Sequence, residues 1–331
     1  MNIGIVTTYD EINYGAFFQA LFLKLFLEEE GHSAFFIINP KEKYNFAERR
    51  LVYGGRNPFT LVQVMQKIWK FKSAKSTYLN EIKVNSKEFN NLDLLIFGSD
   101  EIWNIENCIS AHANEFFFGE FTDAKKISYA ASAGSSKNLS SYKRSLRDFK
   151  MLMVRDENTM ALLKSIGLES KKVVDPTLLI ECPEYLTFDS VKRNRPYLLY
   201  YCVNQCDEFL EGAKKAAQMN DLDLISVGYK HSKLKNYINV GPNEWLNMIR
   251  GADIVYTDMF HGAIFASKFK KRLSLRVTEY RRNKMNDLVQ TLNLHQNVWK
   301  GHSNAPYAAV ATTAEKLINV SRKSLIDALS A

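Results

Sequence analysis

Asn2-Ile3-Gly4-Ile5-Val6-Thr7 opens the chain as a short apolar strand; a polar loop follows, and a helical pattern then runs from about Tyr14 to Glu30, ending at Gly31. A second strand, Ala34-Phe35-Phe36-Ile37-Ile38, comes next. This strand-helix-strand opening decides the fold class. A parallel neighbour can be reached only through a crossover, and further apolar runs at Leu92 to Phe97, Ile127 to Ala131 and Met151 to Val154 extend the same alternation. The first half therefore reads as α/β with a parallel sheet.

After Val173-Val174-Asp175-Pro176-Thr177 comes a stretch with Pro183 and Pro196 and no long helical pattern, which reads as a linker. A second alternation follows. Strands at Tyr197 to Cys202, Leu224 to Val227, Ile254 to Thr257 and Leu273 to Val277 alternate with helices near Phe209 to Met219, Pro242 to Arg250, Ala263 to Phe269 and Met285 to Leu292. At 331 residues the chain exceeds the usual size of one core, so two α/β domains with a cleft between them are expected. The expected division is 1–180, 181–312 and a final helical segment 313–331.

Composition excludes several classes. With 46% hydrophobic and 24% charged residues the chain is a folded protein, and no apolar stretch approaches the length of a membrane span. Met1-Asn2-Ile3-Gly4 lacks the basic start of a secretory signal, so a cytoplasmic protein is expected. Cys108, Cys182, Cys202 and Cys206 have neither zinc-site spacing nor the density of a disulfide scaffold, and read as reduced thiols. A net charge of +8 implies an anionic partner. No nucleic-acid module is recognisable. The run Gln63 to Lys75 interleaves Lys67, Lys70, Lys72 and Lys75 with Trp69 and Phe71. Such a face suits docking at an anionic membrane, and equally a helix with aromatics inward and lysines solvated.

Chemistry concentrates where strands end. Tyr256-Thr257-Asp258-Met259-Phe260-His261-Gly262-Ala263 follows an apolar strand and opens a helix. Ligands of open α/β sheets bind beyond the strands' carboxyl ends, where a helix N-terminus favours an anion and an imidazole can move a proton near neutral pH. His261 reads equally as a helix cap or a core histidine. In Asp93-Leu94-Leu95-Ile96-Phe97-Gly98-Ser99-Asp100-Glu101-Ile102-Trp103-Asn104, Gly98 permits close backbone approach, while Ser99, Asp100 and Asn104 offer hydrogen bonds. Asp100 could orient or deprotonate a hydroxyl. The alternative is a helix cap from Ser99 or Asp100, with Trp103 filling the core. Arg155, after Met151-Leu152-Met153-Val154, suits bidentate binding of carboxylate or phosphate, or else a surface ion pair with Asp156 or Glu157. Lys284, in Arg281-Arg282-Asn283-Lys284, could meet a phosphate or belong to a solvated basic face.

At these residues the chain resembles the polysaccharide pyruvyl transferase family. The resemblance lies in Asn13-Tyr14-Gly15-Ala16 with Gln19, Gly98 to Asn104, Ile127-Ser128-Tyr129-Ala130-Ala131-Ser132, Val154-Arg155-Asp156, Asp175-Pro176-Thr177-Leu178-Leu179 and Thr257 to Gly262. It implies a GT-B-like fold, two Rossmann-like domains with parallel sheets facing an interdomain cleft, and a last helix crossing back to the first domain, which Thr313 to Leu329 resembles. It implies transfer of the pyruvyl skeleton of phosphoenolpyruvate to two hydroxyls of a sugar in a glycan or lipid-linked precursor, giving a cyclic ketal and phosphate. No metal or other cofactor is implied.

By the same resemblance His261 and Asp100 are the catalytic candidates, with His261 as acid or base. Arg155, Lys284 and Gly262 would bind the donor; Asn13, Tyr14, Gly15, Ser99, Glu101, Trp103 and Asn104 would bind the acceptor. Relatives usually carry Gln at the place of Glu101 and commonly Arg or Ser at that of Met259, which bears on acceptor choice. Two other readings stay open: a GT-B glycosyltransferase using a nucleotide sugar, and a noncatalytic partner in glycan assembly.

Overall fold

A computed structural model describes residues 1–39, 58–106, 114–187, 193, 195–204, 206–301 and 314–330. Its elements, in chain order, begin with β1 (Asn2–Val6), α1 (Tyr14–Glu29), β2 (Ser33–Ile38), α2 (Pro58–Tyr78), β3 (Glu81–Lys83), β4 (Leu94–Phe97), β5 (Lys126–Ala131), β6 (Met151–Val154), α3 (Glu157–Ser165) and β7 (Lys171–Lys172). There follow β8 (Tyr197–Tyr201), α4 (Asp207–Met219), β9 (Asp223–Val227), β10 (Tyr237–Ile238), α5 (Pro242–Gly251), β11 (Ile254–Thr257), α6 (Phe260–Lys268), β12 (Arg272–Leu275), α7 (Arg282–Thr291) and α8 (Ala314–Ser330). Helical turns such as Lys87–Asn90 and Lys143–Arg147 connect some of them.

The strands form two sheets, ordered β3-β2-β1-β4-β5-β6-β7 and β10-β9-β8-β11-β12. Every pairing in both is parallel. All four residues of β4 and all four of β11 are buried, as expected of central parallel strands covered on both faces. The α/β class expected from the first forty residues is what the chain adopts. The edge strands β3, β7 and β10 escape sequence reading because two or three residues carry no period, and Lys171–Lys172 has no apolar residue at all.

Two compact units result, one from Met1–Gly54, Lys75–Ile180 and Glu315–Ala331, the other from Gly55–Ala74 and Glu181–Ala314. Residues 55–74, assigned with 1–180 on sequence, thus cluster with the second unit. Within the first unit α1 is buried on nearly all sides, as a helix with Phe17, Phe18, Leu21, Phe22, Phe26 and Leu27 must be. Part of its cover comes from α8, whose Arg322 lies over the Phe26 ring at 5.7 Å. The Ser321 hydroxyl of α8 accepts the Val174 N–H at 3.0 Å. Helix α8 buries Ser321, Ser324, Leu325, Ala328 and Leu329, the spacing of one helical face.

Helix α2 departs from both sequence readings. Trp69 is 69% exposed and Met65 is exposed too, whereas Phe71 is buried. Lys67, Lys70 and Lys75 turn to partners within their own units, while Lys72 is exposed. Lys67 Nζ donates to the Gly228 carbonyl at 2.7 Å and lies over the Tyr229 ring, and Lys70 Nζ meets Glu244 Oε2 at 2.7 Å and the Asn239 carbonyl. Lys75 pairs with Asp10 and Glu81. Burial pulls Lys67 down to about 8. A basic face for a membrane therefore does not exist at these three lysines, because long stems let each ammonium reach a carbonyl or carboxylate while the stem covers apolar surface.

Candidate functional site

The candidate residues fall into two groups, one in each unit. In the first, β1 and β4 are paired neighbours, so their carboxyl-end loops lie side by side. Gln19 of α1 joins them. Its Nε2 donates to Thr7 Oγ1 and to the carbonyls of Thr8 and Ala16, while its Oε1 accepts from Ser99 N and Ser99 Oγ. Thr7 Oγ1 donates to the Ser99 carbonyl, and Thr8 Oγ1 to Asp100 Oδ2 at 3.3 Å. Gly98 and Asp100 have φ of 118° and 70°, and a Cβ on Gly98 would stand 2.2 Å from the Tyr129 carbonyl oxygen. Only glycine fits there. The tight turn lifts Asp100 out of β4 into a bridge with Ala131, leaving its carboxylate partly exposed.

Beneath Asp100 lies Arg155, 5% exposed. Its Nη1 donates to Asp175 Oδ2 at 2.9 Å and its Nη2 is 3.6 Å from Asp100 Oδ1. Burial opposes the guanidinium charge, but Asp175, then Asp100, Asp156 and Glu101, outweigh it and raise its hold on the proton. The arginine is buried and not at the surface. Asp175 Oδ1 accepts from Thr177 N and Thr177 Oγ1, so Asp175-Pro176-Thr177 is a capped turn that also holds Arg155. Asp156 caps α3 through Thr159.

Several expected acceptor-binding residues are buried or hydrogen-bonded within the first unit. Trp103 is wholly enclosed, its Nε1 donating to the Phe117 carbonyl at 3.0 Å and its ring stacked on Phe118. Tyr14, Ser99 and Asn104 are also buried, Ser99 on Gln19 and Asn104 between Glu101 and Ser136. Their side chains fill the core because an apolar strand running into a buried turn leaves them no outward direction. Asn13 caps α1, accepting from Gly15 N at 2.9 Å and Ala16 N. Neither Ser99 nor Asp100 caps a helix of the expected kind.

Glu11 was not singled out on sequence, yet its carboxyl is strongly perturbed. It is half-buried in the loop after β1, hydrogen-bonded by Asn13. Burial first, then Asp100, Asp10 and Glu101, push it up to about 7, against the Asn13 bond that lowers it. A polar loop residue next to Asp10 carries no such signal in sequence. The perturbation arises from burial first and then from charges that include Asp100 and Glu101, about ninety residues away in the chain.

The second group lies at the carboxyl ends of β8, β11 and β12. His261 is 9% exposed in the first turn of α6, a helix whose N-cap Met259 makes no side-chain cap bond. It is therefore in the helix itself and does not cap it. The N–H groups of Met259 and Ala263 are taken by Thr257 Oγ1 and the Met259 carbonyl, at the end of α6 where the helix dipole is positive. Gly262 allows α6 to sit this close. A Cβ there would meet Thr257 Oγ1 at 2.6 Å and Tyr201 Cδ1 at 2.8 Å. Asp258, fully buried, accepts from Val203 N, Asn204 N and Asn204 Nδ2, tying the β8 loop to β11. Lys284 is half-buried on α7, which packs against α6.

Arg276, also missed on sequence, follows β12 directly. Its N–H bonds the Thr257 carbonyl and its Nη1 reaches the Asn204 carbonyl at 3.4 Å. It thus brings a second cation to the strand ends that present α6. Cys202 is buried and its thiol raised by burial and Asp258, Cys182 and Cys206 are half-buried free thiols, and Cys108 lies outside the described residues.

Solved structures with the same fold include a protein from Listeria monocytogenes assigned as a UDP-N-acetylglucosamine 2-epimerase, with TM-score 0.53 and 10% identity over 99% of this chain and 95% of that one. Another is the UDP-GlcNAc 2-epimerase from Neisseria meningitidis bound to UDP-GlcNAc, with TM-score 0.50 and 11% identity over 99% and 92%. At such identity they establish a GT-B-like fold and nothing of the chemistry. No curated protein matches the chain significantly. The family model for polysaccharide pyruvyl transferase matches residues 13–273, from the Asn13 cap of α1 through β11, His261 and α6, and the chain belongs to that family.

Proposed function

We propose that the protein is a transferase that moves the pyruvyl group of phosphoenolpyruvate onto two hydroxyls of a sugar in a glycan or glycan precursor, giving a cyclic ketal and phosphate. The observation that carries this reading is His261 in the first turn of α6, inside the span matched to the family, where a proton carrier stands beside the helix's positive end. His261 delivers the proton that turns the methylene into a methyl group, which gives C2 oxocarbenium character. The positive end of α6, Lys284 and Arg276 meet the negative charge of the donor. No metal or other cofactor has a part in this reading; phosphoenolpyruvate is a co-substrate.

Roles in the first unit shift from the sequence expectation. Arg155, already met by Asp175 and Asp100, is read as positioning Asp100 instead of binding the donor. Asp100 and Glu101, set on the turn after β4, face the acceptor. Membrane docking through Lys67, Lys70 and Lys75 is not part of this reading, and among the described residues no helix is long and apolar enough to cross a membrane.

The test is phosphate release that requires both phosphoenolpyruvate and a sugar acceptor, together with a thermal shift by phosphoenolpyruvate. The second reading, a nucleotide-sugar enzyme, is favoured by the fold it shares with UDP-GlcNAc 2-epimerases. It predicts stabilisation by UDP-GlcNAc and none by millimolar phosphoenolpyruvate. A noncatalytic glycan-assembly role predicts that His261→Ala leaves the host glycan unchanged.

A further inference from the structure

We infer that Asn204 is a positioning residue of the donor site: clamped on Asp258, it presents its carbonyl to the Arg276 guanidinium and so holds that cation ready at the carboxyl end of β12. This rests on the pyruvyl-transfer reading, in which Arg276 meets the donor, and adds a residue that acts through Arg276.

Strands β8, β11 and β12 lie side by side, with Tyr201 opposite Thr257 and Thr257 opposite Leu275. Arg276 thus stands on the far side of β11 from the loop that leaves β8, about 10 Å away between strand axes. Its backbone is fixed, since its N–H donates to the Thr257 carbonyl at 2.9 Å. Its side chain is half-buried, and several torsions separate the guanidinium from that fixed point. What orients the guanidinium is the contact of Nη1 with the Asn204 carbonyl at 3.4 Å. A guanidinium carries its N–H donors in a rigid planar fork, so a carbonyl that takes one of them sets the plane in which the others meet an anion.

Asn204 reaches across because Asp258, the first residue after β11, draws its loop inward. The Asp258 carboxylate is fully buried and accepts the Val203 N–H on Oδ1 at 2.9 Å. Its Oδ2 accepts both the Asn204 N–H at 3.1 Å and the Asn204 side-chain amide at 3.2 Å. A buried carboxylate holds such donors firmly, since these bonds replace the water it has lost. With its N–H and its side chain on one oxygen, Asn204 is fixed about its own Cα, and its carbonyl stays turned to Arg276. Of the three donors, the Asn204 amide is the one that a substitution removes without touching the backbone. Thr257 braces the same corner: Oγ1 donates to the Tyr201 carbonyl at 2.6 Å and accepts the Met259 N–H at 3.0 Å, which ties the end of β8 to the turn that carries His261.

The consequence lies in donor affinity. A cation already in place relieves the donor of ordering a long side chain, and one immobilised side chain is worth about 3- to 10-fold in binding. Once the donor is bound, the guanidinium meets the same charge whether or not Asn204 held it beforehand. Loss of the clamp therefore raises KM for phosphoenolpyruvate and leaves kcat near its wild-type value.

The test uses the full chain, phosphoenolpyruvate, and a panel of p-nitrophenyl hexosides as acceptor probes, with phosphate release followed over donor concentration. Wild type that releases no phosphate with any probe overturns the transfer reading and this inference with it. With wild type active, Asn204→Ala is expected to raise KM for phosphoenolpyruvate by about 3- to 10-fold with kcat near wild type. Arg276→Met should raise that KM by about 10-fold or more, and the double variant should be no worse than Arg276→Met alone. An unchanged KM in Asn204→Ala, a loss confined to kcat, or single effects that multiply in the double variant each overturn the positioning role while the transfer reading stands. Because Asn204→Ala could misfold, nitrogen-15 NMR of wild type supplies a second measurement. The side-chain signals of Arg276 and Asn204 should move on one saturation curve as phosphoenolpyruvate is added, and an Asn204 amide indifferent to the donor overturns the assignment.

Discussion

Arg155 and Asp175 form a buried pair, Nη1 to Oδ2 at 2.9 Å, in which one carboxylate both holds the arginine and closes the turn that continues to Thr177. Removing one member leaves an uncompensated charge. Arg155→Met should therefore lower stability by about 3–5 kcal/mol in urea unfolding, and adding Asp175→Leu should recover part of that loss. A variant as stable as wild type would mean that solvent reaches the pair.

His261 and Gly262 are adjacent but should fail in different ways. Gly262→Ala places a carbon 2.6 Å from Thr257 Oγ1 and 2.8 Å from Tyr201 Cδ1, and is expected to cost about 1–3 kcal/mol of stability. His261→Ala should melt close to wild type, still shift with phosphoenolpyruvate, and lose about 100-fold or more of acceptor-dependent phosphate release. Melting curves and phosphate assays on both variants decide the matter.

Glu11 makes stability depend on pH. Its proton leaves near 4.5 in the unfolded chain and near 7 in the folded one, so between these values the folded state binds more protons. Stability then falls as pH rises from about 4.5 to 7 and the contribution levels off above. Glu11→Gln should lack this slope and be more stable relative to wild type at pH 8 than at pH 5, as read from paired melting curves.

Helix α2 offers the opposite of its sequence appearance. Trp69→Ser, at an exposed site, should change stability by no more than about 0.5 kcal/mol. Lys67→Met with Lys70→Met breaks the bonds to Gly228 and Glu244 and should cost about 1–2 kcal/mol in urea unfolding.

The sequence alone determined the α/β class, most strands, and the His261 motif, because period and β-branched runs are local signals and a strand followed by a helix start fixes where a ligand-facing residue can stand. It also carried the family resemblance, through residues that the structure finds to be mainly architectural: Gln19 bridging two loops, Asp175 holding Arg155, Asn13 and Asp156 capping helices.

Only the tertiary structure decided which polar residues face outward and which acid is perturbed. Trp103, Ser99 and Asn104 look like a binding loop until the turn buries them, and the lysines of α2 look solvated until their partners arrive from Gly228 and Glu244. Glu11 depends on Asp100 and Glu101, brought beside it by the pairing of β1 with β4. A proton affinity is set by the charges within a few ångströms and by lost water, and neither is written along the chain.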